Sequence, residues 1–162
     1  MKTVGIIGGV GSETTADFYM EIISGCQKID HSARPLVLIS SIPIPYQIEK
    51  YAILHNEKLE AVLPYLVNEA KRLEKAGADF IVLPCNSLHL FVNEIRKEIQ
   101  IPLLSIIEET VKYLSIEKIN RIGILSTSVT NKHQLYDDEL NKANIKFDRL
   151  SDTDQQEVDQ II

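Results

Sequence analysis

Short apolar runs alternate with longer stretches of helical spacing along this chain. Residues 3–8, Thr-Val-Gly-Ile-Ile-Gly, form the first run and read as a buried strand. A Gly8-Gly9-Val10-Gly11-Ser12 turn follows, then a helix over about residues 13–29 with Phe18, Ile22 and Cys26 or Ile29 on one stripe. Pro35 precedes a second strand at 36–40, and Ile42-Pro43-Ile44-Pro45-Tyr46 is a proline-stiffened loop suited to a binding element. Residues from about 56 to 76 read as a long helix with Leu59, Val62, Leu63, Leu66, Ala70 and Leu73 inward. Pro64 interrupts that helix, kinking or splitting it, and Gly77 is its natural C-cap. Residues 78–83 read as another buried strand, after which Asn86 or Ser87 can cap a helix carrying Leu90, Phe91, Ile95 and Ile99. A short run at 102–106 and a helix to about Leu114 follow. Strands alternating with helices predict right-handed crossovers and a parallel sheet, an α/β fold.

At Asn120 the pattern restarts. Arg121-Ile122-Gly123-Ile124-Leu125-Ser126-Thr127 echoes residues 3–9, and Tyr136 follows its strand much as Tyr19 follows the first. The offset is about 118 residues, so a counterpart of Cys85 falls near position 203, beyond Ile162. A helical pattern begins at about Thr153, Gln156 and Val158. The expected organisation is a first α/β domain over residues 1–115 that carries Cys85, and the start of a second, incomplete domain over 116–162. An unfinished sheet is expected to expose apolar surface and a strand edge, which invites dimerisation or aggregation.

Composition narrows the classes. With 162 residues and 44% hydrophobic content the chain can bury a sizeable core, and 25% charged residues in short mixed-sign clusters argue against disorder. A net charge of −6 without a basic patch argues against nucleic acid as a partner. Two cysteines, Cys26 and Cys85, make neither a disulfide framework nor a zinc set, as expected in a reducing cytoplasm. The start of the chain is too short and glycine-rich for a signal peptide, and no apolar run approaches the ~20 residues of a membrane span. The expectation is a soluble, cytoplasmic protein.

Cys85 carries the chemistry most open to interpretation. Placed where a strand ends and a helix begins, its thiolate is favoured by backbone N–H groups and the helix dipole, which makes it a candidate base or nucleophile. A small buried hydrophobe is the competing reading. The glycine loop lacks the third glycine of a dinucleotide fingerprint, since Thr14 stands there, and the second strand ends in Ser40-Ser41 without an acidic residue. What remains is a turn of free N–H groups with the hydroxyls of Ser12, Thr14 and Thr15, suited to a carboxylate or phosphate, or simply a turn that needs glycine. His89 lies one helical turn after Cys85. It has too few companions for zinc and poor geometry for a Cys–His hydrolase, so it supports the loop or packs. His31, His55 and His133 carry no spacing signal, and Cys26 reads as core. Two polar clusters, Tyr46-Gln47 with Glu49 and Ser126-Thr127-Ser128 with Thr130, fall at strand ends on the side of Cys85 in a parallel sheet. Both either cap helices or bind ligand.

Three stretches resemble the aspartate/glutamate racemase family of cofactor-independent amino-acid racemases. They are residues 2–12 with Thr14, Thr15, Phe18 and Tyr19; residues 77–79 through Pro84-Cys85-Asn86-Ser87-Leu88-His89; and residues 121–127 leading to Tyr136. The resemblance covers the whole chain as an N-terminal portion. It implies a three-layer sandwich with a parallel sheet, built as two pseudo-symmetric domains, the second incomplete here. The active site of the family lies between the domains, with one cysteine from each flanking the substrate Cα as thiolate base and thiol acid. Such a two-base scheme needs no cofactor. Carried over by position, Cys85 is one acid/base. Asn86 and Ser87 hold the substrate carboxylate, Val10 and Gly11 line the pocket beside Tyr46 and Gln47, and Thr127 with Thr130 closes it. Ser12, Thr14 and His89 support it. Three departures stand out: Val10 replaces a common methionine, Tyr46-Gln47 replaces an Asp-Arg pair whose arginine grips a carboxylate in aspartate racemases, and the second cysteine and a following lysine are absent.

The expected activity is therefore racemisation of aspartate or glutamate at Cα, impaired in this chain, with an amino acid as partner and a possible homodimer. Two alternatives stay open: a catalytically silent carboxylate- or amino-acid-binding module, and a cysteine-based dicarboxylate isomerase or decarboxylase of related fold.

Overall fold

The computed structural model describes residues 2–54 and 57–161; His55, and Asn56 at the expected start of the long helix, lie outside them. Strand β1 (Thr3–Gly8) is central, paired in parallel with β2 (Leu36–Ser41) on one side and β3 (Phe80–Val82) on the other. The sheet has helices on both faces, and the alternation of β1 says which. Gly5 faces Leu73 and Ala78, at and just after the end of helix α3 (Leu63–Lys75), whereas Gly8 faces Thr15 of helix α1 (Ser12–Ile29). Ile7 joins the main core with Leu66, Ala70 and Leu73 of α3 and Val92 and Ile95 of helix α4 (Val92–Glu98). Three layers result, as the resemblance implies.

Helix α1 buries less than its stripe suggests. Thr15 is its one fully buried residue among those described, Phe18, Ile22 and Cys26 are half-buried, and Ile29 is 91% exposed. Cys26 is thus not a core residue, and the stripe ends at it. The proline loop runs into a helical turn, α2 (Tyr46–Glu49), continued as a π-helical turn at Lys50–Leu54 that the sequence pattern did not predict. Pro64 starts a helix: it occupies the first turn of α3, where its missing N–H costs nothing. A 3-10 turn, Leu59–Ala61, precedes it, so the expected long helix is split. After β3, the chain enters a 3-10 helix, Ser87–Phe91, before α4. Asn86 has helical angles and caps nothing with its side chain. The run at 102–106 supplies an isolated parallel bridge, Leu103 with Ile81, and then Ser105, whose hydroxyl caps helix α5 (Ile106–Ile116).

A second parallel pair, β4 (Arg121–Ile124) and β5 (Lys146–Arg149), forms its own sheet. Between them lie helices α6 (Ser128–Lys132) and α7 (Asp137–Lys142), and helix α8 (Asp152–Asp159) follows. Val111 and Leu114 of α5, Leu140 and Ile145 make the buried centre of a second cluster, with Ile122, Ile124, Tyr136 and Phe147 packed against it. Val129 of α6 instead packs into the first core. Leu125, at the exit of β4, is 72% exposed.

Candidate active site

The exits of β1, β3 and β4 converge on the segment around Cys85. Burial holds this thiol protonated by raising its pKa, the N–H groups of Leu88 and Ser87 pull the other way, and the Glu49 carboxylate adds to the rise. Desolvation outweighs the backbone donors, so the sequence-based expectation of a favoured thiolate is corrected.

His89 is buried, and both its ring nitrogens are occupied by backbone. Nε2 lies 2.9 Å from the Ile106 N–H and can only accept from it, which places the proton on Nδ1, donated to the Cys85 carbonyl at 2.9 Å. The ring is neutral in this arrangement. Burial lowers its pKa, as does the Arg96 charge, against the Cys85 carbonyl and the Glu108 carboxylate, which raise it. It ties the Cys85 turn to the start of α5.

Ser87, also buried, meets Thr127 across the gap between the two sheets, with 2.8 Å between their hydroxyl oxygens. Thr127 caps α6, accepting from the Thr130 N–H, and its hydroxyl lies 3.3 Å from that of Thr130. Asn86 accepts at Oδ1 from the Tyr136 hydroxyl at 3.0 Å. The structure therefore brings Cys85, Asn86, Ser87, Thr127, Thr130 and His89 into one connected cluster. Two cavities meet at Asn86. One, about 170 Å³, runs past Thr110, Gly123 and Tyr136. The other, about 560 Å³ and apolar, lies against Phe18, Leu83, Pro84 and Leu104, with Thr14 at its wall.

The glycine loop is less free than its composition suggests. Thr15 Oγ1 accepts the Gly9 N–H at 3.1 Å and donates to the Gly11 carbonyl at 3.1 Å, so one loop N–H and one hydroxyl are spent internally. Val10 packs half-buried on the first core, while Gly11, Ser12 and Thr14 are exposed at the start of α1. Tyr46 and Gln47 are exposed, and among the described residues no hydrogen bond links them to the Cys85 cluster. Tyr136 and Thr110 were missed by the sequence reading of the site. The one signal for Tyr136 was its place in the repeat.

The sequence profile of the family described as Asp/Glu/Hydantoin racemase matches residues 7–162. The chain belongs to that family. The broad specificity amino-acid racemase RacX of Bacillus subtilis (strain 168) is 33% identical over 137 residues, 82% of this chain and 58% of that protein. A glutamate racemase of Hydrogenobaculum sp. is 26% identical over 129 residues, 78% of this chain and 47% of its own length. This family member thus spans about half the length of these curated relatives. Its fold matches the crystal structure of an aspartate racemase homologue from Pyrococcus horikoshii OT3 with a TM-score of 0.82 at 28% identity, over 100% of this chain and 70% of the other. The aspartate racemase of Picrophilus torridus matches with a TM-score of 0.78 at 29% identity, over 99% of this chain and 66% of the other.

Among the described residues no group of three or more His, Cys, Asp or Glu is arranged to hold a metal ion, and no helix is long and apolar enough to cross a membrane.

Proposed function

We propose that this chain carries one half of the proton-transfer machinery of a cofactor-independent amino-acid racemase, with Cys85 as its acid/base and aspartate or glutamate as substrate. The observation that supports it best is the cluster of hydrogen-bonding groups at the Cys85 turn: the neighbouring Asn86 amide, the Ser87 hydroxyl joined to those of Thr127 and Thr130, and the N–H groups of Ser87 and Leu88 that favour the thiolate. Family membership and racemase relatives support the reaction class. Exposed Gln47, lacking charge, leaves the choice between the two amino acids to other contacts.

In the working direction the Cys85 thiolate takes the Cα proton, leaving a thiol and a carbanion whose charge spreads into the carboxylate. In the reverse direction the thiol returns a proton to the same face. Amide and hydroxyl donors fixed in advance favour the charge that develops on the carboxylate oxygens. Inversion needs a second acid/base on the opposite face. Cys26 does not supply it: 14 residues down α1 from Ser12, it lies about 21 Å along the helix from the strand exits. The expectation is proton exchange without net inversion. The catalytic unit divides into the first α/β domain over residues 1–115 and the part of a second that begins at 116, with the substrate between them.

The test is proton NMR in D2O, following loss of the Cα–H signal of L- and D-aspartate and L- and D-glutamate separately. Loss for one enantiomer, abolished in Cys85→Ala, is the expected result. No exchange by the folded chain with any of the four, alongside binding unchanged in Cys85→Ala, would replace this reading with a silent carboxylate-binding module.

A further inference from the structure

We propose that Tyr136 is a positioning residue: its hydroxyl turns the Asn86 carboxamide so that the NH2 group, and not the carbonyl, faces the ligand beside Cys85. This rests on the racemase reading of the Cys85 cluster and adds to it a residue just before α7 that packs on the second cluster.

The Tyr136 O–H donates to Asn86 Oδ1 at 3.0 Å, from a position 50 residues further along the chain. The Thr110 hydroxyl of α5 is its second partner. A carboxamide is a planar fork with one acceptor arm and one donor arm, so fixing Oδ1 also fixes Nδ2. Among the described residues Nδ2 has no hydrogen-bond partner and is not one of the buried orphan polar atoms, so it is open to solvent, and Asn86 lines both cavities. A carboxylate only accepts hydrogen bonds, so it requires this orientation, and the flipped amide would set oxygen against oxygen. The phenol is suited to hold the orientation. Its ring packs against the Leu140 and Ile145 cluster, which fixes where the hydroxyl stands. Burial raises the pKa of the phenol, more than its hydrogen bonds to Asn86 and Thr110 lower it, so it remains a donor through neutral pH. Because Tyr136 belongs to the second unit, the donor arm of Asn86 is set only when the two units are together.

Tyr136→Phe keeps the ring and removes the hydroxyl. In ligand-free, 15N-labelled protein, the Asn86 side-chain NH2 pair is assigned by its loss in Asn86→Ala. It is expected to shift in Tyr136→Phe while the other asparagine pairs stay in place. In the exchange assay with L- and D-aspartate, Tyr136→Phe is expected to lower kcat/KM about tenfold, chiefly through KM. The double variant with Asn86→Ala should be no slower than Asn86→Ala alone, because the hydroxyl acts only through that amide. An unmoved Asn86 pair, or losses that multiply in the double variant, would overturn the proposal. Absence of exchange in every variant, with the Asn86 pair still shifted by Tyr136→Phe, would sink the racemase reading and leave the positioning of Asn86 demonstrated.

Discussion

The hydroxyl oxygens of Ser87 and Thr127 stand 2.8 Å apart and join the Cys85 turn of the first sheet to the start of α6 in the second. Thr127 is the busier partner, since it also caps α6 by accepting from the Thr130 N–H. A buried hydroxyl left without its partner costs on the order of 1–3 kcal/mol, and loss of a threonine cap costs ~1 kcal/mol. Thr127→Val should therefore destabilise the fold by roughly 2–3 kcal/mol in urea unfolding and Ser87→Ala by about 1 kcal/mol. Thr127→Ser, which keeps the oxygen, should recover most of the loss. Because the two residues share one bond, the double variant should fall short of the sum by about 0.5–1 kcal/mol. Strict additivity would mean that the bridge contributes nothing.

Cys85 should behave as a thiol of high pKa. Burial disfavours its thiolate more than the Ser87 and Leu88 N–H groups favour it, and Glu49 adds repulsion. Below that pKa the thiolate fraction climbs tenfold per pH unit. Alkylation by iodoacetamide, followed as the difference between the native chain and Cys85→Ala, should rise close to tenfold per unit between about pH 7 and 9 without levelling off. Cα exchange that depends on Cys85 should share this slope. A plateau reached by about pH 7 would show a thiolate already formed at neutrality and reverse the assignment of Cys85 as a thiol.

The first half of the chain was legible because periodicity and punctuation agreed there. The runs at 3–8, 36–40 and 78–83 carry strands, and Leu59, Val62, Leu66, Ala70 and Leu73 are buried as their spacing requires. Strand β5 was not legible: Lys146-Phe147-Asp148-Arg149 alternates, but with charges outside and Arg149 held by Asp137 inside, so it lacks an apolar run. The π-helical turn at Lys50–Leu54 has no sequence signature either, although its Ala52 is buried in the first core. In the candidate site, Cys85 was legible from its place at a strand exit, whereas Asn86 and Ser87 entered through the resemblance of their block. Tyr136 was not legible, because an aromatic that packs on Leu140 looks like core until its hydroxyl is seen on Asn86.

His89 makes stability depend on pH in a direction that can be worked out. Its pKa is lowered in the folded chain, where Nε2 must stay unprotonated to accept from Ile106, with Arg96 and Glu108 as the nearby charges. An unfolded histidine titrates near about 6.5. Below that value the unfolded state takes up the proton first, so stability present above about pH 6.5 is lost as pH falls toward the lower folded value. Urea unfolding between about pH 5 and 7.5 should show the native chain losing stability on acidification more steeply than His89→Gln, whose amide has no proton to gain in that range. Parallel curves for the two proteins would show that His89 is not held neutral by its backbone contacts.

Three glycine-to-alanine substitutions, two in the glycine loop and one inside α1, should differ in size and sign. At Gly9, φ is +96°, and an added Cβ would lie 2.7 Å from Ser41 Oγ and 2.9 Å from the Ile42 nitrogen, at the point where Ile42 N–H donates to the Gly8 carbonyl. Strain and overlap therefore act together, and Gly9→Ala should cost roughly 2–4 kcal/mol. Gly11 also has positive φ, +74°, but its Cβ would meet only the Thr14 side chain, at 3.2 Å, so Gly11→Ala should cost about 1 kcal/mol. Gly25 sits inside α1 with nothing within 4 Å of a new Cβ, and Gly25→Ala should stabilise by about 0.5–1 kcal/mol through helix propensity. Midpoints in urea separate the three. If Gly9→Ala proves as mild as Gly11→Ala, the loop is not pinned between α1 and the exit of β2, and its donors are free to move toward a ligand.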